Sequence, residues 1–133
     1  MQLRDPQLYR QHAYINGKWT DAGVRDVITV QNPATGENLG TVPNLGRVET
    51  AGAIEAAEAA FPTWKAKTGK ERGLIIRRWY DLVMEHIDDL AMIITLENGK
   101  PLEEARGSTY ISNGFFSASF LCHHCFLFRL TMS

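Results

Sequence analysis

The chain has 133 residues, of which 44% are hydrophobic and 22% are charged, with a formal net charge of −1 at pH 7. This length corresponds to one domain, and the nearly balanced charge totals show neither a basic patch for nucleic acid nor an acidic tail. No apolar run is long enough to span a membrane, the first residues lack the apolar core of a signal peptide, and two cysteines are too few for a disulfide framework. We therefore expect a cytoplasmic protein with neither a nucleic-acid nor a membrane partner.

The first part of the chain has the pattern of short strands. Residues 13–20 alternate between apolar and polar around Asn16-Gly17, a dipeptide that suits a type I′ turn because both positions tolerate positive φ. A β-hairpin is predicted here. A β-branched run at 27–31 breaks at an Asn-Pro-Ala-Thr-Gly turn, residues 32–36, and residues 39–42 predict the returning strand.

Beyond residue 47 the apolar residues recur every three or four positions, which predicts helices. The first helix is expected to end at Pro62, because proline has no N–H to continue the hydrogen bonding. Its apolar stripe consists of Val48, Ala51, Ile54, Ala57 and Phe61. Thr68 and Glu71 have capping-box spacing and predict the start of a second helix. The apolar face of that helix consists of Ile75, Trp79, Leu82 and Val83.

A third helix is predicted over residues 87–97. Asp88 and Asp89 lie in its first turn, where negative charge is favoured by the helix dipole. Asn98-Gly99 has the chemistry of a helix C-terminus, and Pro101 stands where a following helix would begin. These elements amount to a mixed α and β domain, and the periodicity alone indicates no function.

Five segments together carry more information than any one of them. They are Ile15-Asn16-Gly17-Lys18-Trp19, Asn32-Pro33-Ala34-Thr35-Gly36-Glu37, Ala59-Ala60-Phe61-Pro62-Thr63-Trp64, Thr95-Leu96-Glu97-Asn98-Gly99-Lys100-Pro101-Leu102 and Glu104-Ala105-Arg106-Gly107. In this order and at this spacing, over residues 8–107, they resemble the aldehyde dehydrogenase family. Details at 40–43, 68–72 and 88–91 look most like the succinate-semialdehyde dehydrogenases.

The resemblance implies an α/β fold, namely the amino-terminal part of the aldehyde dehydrogenase fold. It consists of a β-hairpin arm and helices that pack on a Rossmann-like cofactor domain. We expect residues 1–107 to form this portion and residues 108–133 to be a divergent apolar tail, disordered or not native. The apolar faces of these helices would pack on a sheet that these residues do not provide. We therefore expect exposed apolar surface and marginal stability.

The function implied by the resemblance is the NAD(P)-dependent oxidation of an aldehyde to a carboxylic acid, here succinate semialdehyde to succinate. In the family, the nucleophilic cysteine, the water-activating glutamate and the cofactor loops all lie further along the chain. We therefore predict no catalytic, cofactor-binding or metal-binding residues in these 133 residues, no bound NAD or NADP, and no activity of this chain alone. The alternative is a non-enzymatic fragment that docks on full-length homologous subunits.

The composition changes abruptly near Ser108. All 15 acidic residues precede it, and Arg129 is the only charged residue after it. From Ser117 onward the likeness to the family is lost, and we hypothesise that residues 117–133 derive from a translated intron or a frameshift. The Cys122-His123-His124-Cys125 run has zinc or redox spacing, but adjacent residues cannot readily form a tetrahedron and no second ligand pair exists. Aggregation through this apolar tail is the favoured interpretation.

Several single residues also have two interpretations. Glu97 is favoured as part of a structural helix exit, although an acidic residue at its position helps to hold a monovalent cation in some relatives. Trp64 and Trp79 are interpreted as packing anchors rather than cofactor platforms. His12 and His86 have no companion at metal-ligand spacing and are interpreted as ordinary polar side chains.

Overall fold

The computed structural model describes residues 2–21 and 26–119, with side chains described up to Tyr110. Two small antiparallel hairpins precede a series of four helices. The elements are a 3-10 turn at Pro6–Leu8, β1 (Ala13–Ile15), β2 (Lys18–Thr20), β3 (Val27–Gln31), β4 (Asn38–Pro43), α1 (Arg47–Lys65), α2 (Gly69–Glu85), α3 (Ile87–Asn98) and α4 (Leu102–Ser119). Within the described residues, no helix is long and apolar enough to cross a bilayer.

Both predicted hairpins are confirmed. β1 pairs with β2, and the two residues between them adopt positive φ, 51° at Asn16 and 77° at Gly17. Such a turn matches the right-handed twist of the strands that it joins. β3 pairs with β4 in a register that places Thr29 opposite Thr41. The local chemistry of the turns was therefore sufficient to predict these pairings.

The helix caps are confirmed as well. The Thr68 hydroxyl accepts a hydrogen bond from the Glu71 N–H at 3.3 Å, and the Glu71 carboxylate accepts one from the Thr68 N–H at 2.7 Å. The Thr68 hydroxyl also donates to the Glu71 carboxylate at 2.8 Å, and this bond, followed by the one from the Thr68 N–H, lowers the pKa of the Glu71 carboxyl. Gly99 ends α3 in the left-handed conformation with φ of 76°. At the start of α1 only half of a capping box forms, because Gly46 donates to Glu49 but has no side chain to accept in return.

The predicted end of the first helix at Pro62 is wrong. α1 continues through Pro62 to Lys65, and the Ala66 N–H donates to the Pro62 carbonyl at 3.0 Å. Proline removes only the one hydrogen bond that its own N–H would have made to the preceding turn. So close to the end of the helix, that loss does not stop the chain from completing its final turn.

Among the described helices, α3 and α4 make the most extensive contact. Ala91 on α3 and Ala105 on α4 are both fully buried, and their small side chains let the two helices approach closely. The stripe of α1 is not covered in the same way, since Val48, Ile54 and Phe61 are 79%, 53% and 52% exposed. The predicted exposure of apolar surface is therefore present on α1.

α4 runs across position 108, where the composition changes. The helix therefore has no end at the predicted boundary between residues 1–107 and 108–133, and that boundary stays a prediction. The Cys122 to Cys125 run lies outside the described residues. The hypotheses about metal binding, redox chemistry and aggregation of the tail remain predictions too.

Candidate functional site

The two most distinctive sequence motifs meet in the folded chain. The turn at residues 32–36 packs against the exit of α3, so closely that a Cβ added at Gly99 would lie 2.9 Å from Pro33 Cγ. Asn32 is only 8% exposed, and its side-chain oxygen accepts a hydrogen bond from the Ala34 N–H at 2.9 Å. We call this contact the turn–exit junction. Its residues satisfy backbone groups and fill space, which supports the structural interpretation of both motifs.

Asp89 makes long-range contacts that the sequence pattern did not predict. The residue is 6% exposed, and its carboxylate accepts hydrogen bonds from two backbone N–H groups, those of Arg4 and Asp5, each at 2.9 Å. These two bonds hold the pKa of the Asp89 carboxyl below its ordinary value. The aspartate expected to serve the dipole of α3 therefore also fastens a segment more than 80 residues away in sequence.

The same segment reaches the other end of α3. The Tyr9 hydroxyl lies beside Glu97, and the pKa of Tyr9 is raised by burial first and then by the nearby Glu97 carboxylate. The Gln11 side-chain oxygen accepts a hydrogen bond from the Thr41 N–H on β4 at 2.8 Å. We call residues 4–11 the N-terminal strap, because they run along α3 and bridge to the hairpin.

Charged side chains surround the attachment of the strap. Asp88 pairs with Arg4 at 3.3 Å and with Arg106 at 2.8 Å, and Arg106 also pairs with Glu103 at 2.6 Å. Hydrogen bonds to Asp88 and Glu103 raise the pKa of Arg106. All four side chains are more than a third exposed, so each pair contributes little to the free energy of unfolding. The cluster links the strap, α3 and α4 without forming an enclosed site.

The other predicted residues are dispersed in the folded chain. His12 is exposed, His86 lies at the join between α2 and α3, and Trp64 and Trp79 are half-buried, as packing anchors would be. No group of three or more metal-ligating side chains occurs in residues 2–21 and 26–110. Glu97 lies beside Tyr9, and its part in holding a cation stays a prediction.

The arrangement has the character of a scaffold. Its carboxylates accept hydrogen bonds from backbone and side-chain groups, and its tightest contacts join one secondary-structure element to another. A catalytic constellation would need a nucleophile beside a base and donors placed for a developing charge. The geometry of the described residues therefore indicates a structural role.

Comparison with known proteins shows which family of proteins shares this scaffold. The model of the aldehyde dehydrogenase family matches residues 19–122. The chain is 55% identical over 115 residues to a glutarate-semialdehyde dehydrogenase of Pseudomonas putida, and 52% identical over 115 residues to an NADP+-dependent succinate-semialdehyde dehydrogenase of Escherichia coli. Each match covers 86% of this chain and 24% of the relative, so the chain spans about a quarter of the length of these relatives.

Solved structures agree in fold. The crystal structure of succinate-semialdehyde dehydrogenase from Burkholderia pseudomallei superposes with a TM-score of 0.83 at 52% identity, covering 86% of this chain and 24% of that one. Among more distant solved relatives, a glyceraldehyde-3-phosphate dehydrogenase of Bacillus halodurans is complexed with NADP and a betaine aldehyde dehydrogenase of Staphylococcus aureus with NAD+. The hairpins and helices described above are thus the amino-terminal part of such a fold, and the chain belongs to the aldehyde dehydrogenase family.

Proposed function

We propose that these residues form the amino-terminal scaffold of an NAD(P)-dependent semialdehyde dehydrogenase that oxidises succinate semialdehyde to succinate in the cytoplasm. The observation that carries this proposal is the identity of more than half of the matched residues to relatives named for semialdehyde substrates. Both of those substrates are aldehydes that carry a carboxylate at the far end of a short chain. The fold, with a TM-score of 0.83 to a succinate-semialdehyde dehydrogenase, supports the same conclusion.

The full chain by itself is proposed to be inactive. Aldehyde oxidation through a covalent intermediate requires an activated nucleophile, a base for water and a site for the dinucleotide. The described side chains provide structural contacts in place of that set. On this proposal the scaffold contributes to catalysis only by holding other parts of the fold in position.

A chimeric enzyme tests both statements. The 115 matched residues of this chain would replace the corresponding part of the Escherichia coli enzyme, and NADPH formation from succinate semialdehyde would be followed by absorbance. We expect the chimera to be active and the full chain alone to be inactive. A chimera that assembles like the parent enzyme but produces no NADPH would contradict the proposed function. NADPH formation by the chain alone would contradict its proposed inactivity.

A second candidate function is that of an interaction fragment that docks on full-length homologous subunits. The observation that favours it is the apolar stripe of α1, where Val48, Ile54 and Phe61 are each more than half exposed. Large exposed apolar patches commonly mark sites of association. The partner expected for such a patch is the surface that receives this helix in a complete subunit.

Co-expression separates this candidate from the first. The chain would be produced together with the Escherichia coli enzyme, and the activity and subunit profile would be measured. If the fragment docks, one of the two changes, and Ile54→Lys in the stripe abolishes the change. Thr63→Lys, which adds the same charge on the opposite side of α1, serves as the control. An unchanged activity and subunit profile in the presence of the chain would contradict docking.

A further inference from the structure

The N-terminal strap is attached to α3 at two places that lie near opposite ends of the helix. Asp89 accepts hydrogen bonds from the backbone N–H groups of Arg4 and Asp5, and the Tyr9 hydroxyl lies beside Glu97. Eight residues of helix separate the two carboxylates, a rise of about 12 Å. The strap covers this distance with the help of the 3-10 turn at Pro6–Leu8.

A third attachment joins the strap to the β3–β4 hairpin. Gln11 accepts a hydrogen bond from Thr41 at 2.8 Å, and its side chain lies so close to β4 that a Cβ added at Gly40 would be 2.5 Å from Gln11 Oε1. The strap is therefore a bridge between the hairpin and the helices. The turn–exit junction at Pro33 and Gly99 is a second and separate bridge between them.

The strap is held mainly by polar contacts. None of residues 4–11 is fully buried, and the larger apolar side chains of the strap, Leu8 and Tyr9, are only half-buried. Segments with few buried apolar contacts open locally at low free-energy cost. Hydrogen bonds to a charged acceptor are the stronger kind, and Asp89 makes two of them from one nearly buried carboxylate.

We propose that residues 4–11 are a releasable strap that the Asp89 carboxylate holds in place. When that carboxylate is lost, the strap detaches as one unit, from Arg4 through Gln11, while the four helices stay folded. Detachment separates Tyr9 from Glu97 and removes the bridge that Gln11 makes to the hairpin. The strap is thus a conformational device that is independent of the proposed dehydrogenase activity.

Limited trypsin digestion of the full chain tests the proposal, because Arg10 lies within the strap and is exposed. Asp89→Asn keeps the size of the side chain but removes its charge and one of its two acceptor oxygens. We expect cleavage after Arg10 to become faster by about tenfold, the effect of losing one charged hydrogen bond. Cleavage after Lys67, in the connection between α1 and α2, should keep its rate.

Asp81→Asn is the matched control. Asp81 is an exposed aspartate on α2 that pairs with Arg77 at 3.0 Å and does not touch the strap in the described contacts. Its variant should be cleaved after Arg10 at the parental rate. Equal Arg10 cleavage in the Asp89 and Asp81 variants would overturn the proposal.

One further measurement excludes a general loss of folding, and two others test whether the strap detaches as one unit. The far-ultraviolet circular dichroism of Asp89→Asn should retain the helical signal of the parent, and loss of that signal would overturn independent detachment. Hydrogen exchange should accelerate at the Arg4 and Asp5 amides and at Tyr9 together. Acceleration confined to the first two amides would contradict detachment as one unit. Tyr9→Phe, which removes only the hydroxyl, should increase cleavage after Arg10 less than Asp89→Asn does.

Discussion

Replacing Gly99 by alanine should destabilise the chain by much more than the same replacement at Gly36. Both glycines adopt left-handed φ, 76° and 72°, where an added Cβ costs about 1–2 kcal/mol. The two sites differ in their surroundings. A Cβ at Gly99 would lie 2.9 Å from Pro33 Cγ, whereas a Cβ at Gly36 would meet no atom within 4 Å.

The contact with Pro33 adds a second cost at Gly99 only. Forcing an extra carbon into a closely packed contact typically costs about 1–3 kcal/mol, because neighbouring atoms must move. We therefore expect Gly99→Ala to lower the free energy of unfolding by about 2–5 kcal/mol and Gly36→Ala by about 1–2 kcal/mol, as sums of these terms.

Urea unfolding followed by circular dichroism would measure both variants against the parent. The difference between them isolates the turn–exit junction, because the backbone cost is shared and cancels. Equal destabilisation by the two replacements would show that Pro33 and Gly99 do not pack as described. A difference of the expected size would establish the junction as a contact between two motifs that are more than 60 residues apart in sequence.

Three further predictions concern a cap, the helix interface and pH. Thr68→Ala removes the hydroxyl that accepts from the Glu71 N–H, and urea unfolding should show a loss of about 1 kcal/mol. Ala105→Leu should cost about 1–3 kcal/mol in the same assay because Ala105 is fully buried between α3 and α4, whereas exposed Ala59 should tolerate leucine within about 0.5 kcal/mol. The pKa of Asp89 is lowered in the folded chain, so its stabilising contribution is present above the ordinary carboxyl pKa and is lost as the pH falls through the lowered value. Unfolding midpoints measured from neutral pH into acid should fall less steeply for Asp89→Asn than for the parent, and parallel slopes would contradict the assigned hydrogen bonds.

The elements set by local chemistry were predictable from the sequence. The Asn16-Gly17 turn, the Thr68–Glu71 box and the left-handed Gly99 each form because neighbouring residues satisfy nearby backbone groups or tolerate an unusual φ. Those interactions span only a few residues, so the pattern contains both partners. Pro62 was the exception, because its effect depends on how near the helix end lies, and helix ends are the least certain part of such a prediction.

The family followed from the order and spacing of motifs, and the comparisons confirm it. The structural role of those motifs could not be predicted from their order and spacing. Pro33 and Gly99 are distinctive in sequence, but nothing in either segment indicates that one packs against the other. Asp89 offered still less of a signal, since an acidic residue in the first turn of a helix is already explained by the dipole.

By itself, then, the sequence determined the turns, the helix caps and the membership of the family. Only the tertiary structure decided which carboxylate holds the strap, which turn meets which helix exit, and that α1 is the helix with the exposed apolar stripe. The physical reason is the separation in sequence between the residues that interact. Backbone geometry is set by residues a few positions apart, whereas burial and long-range hydrogen bonds depend on where the chain returns in space.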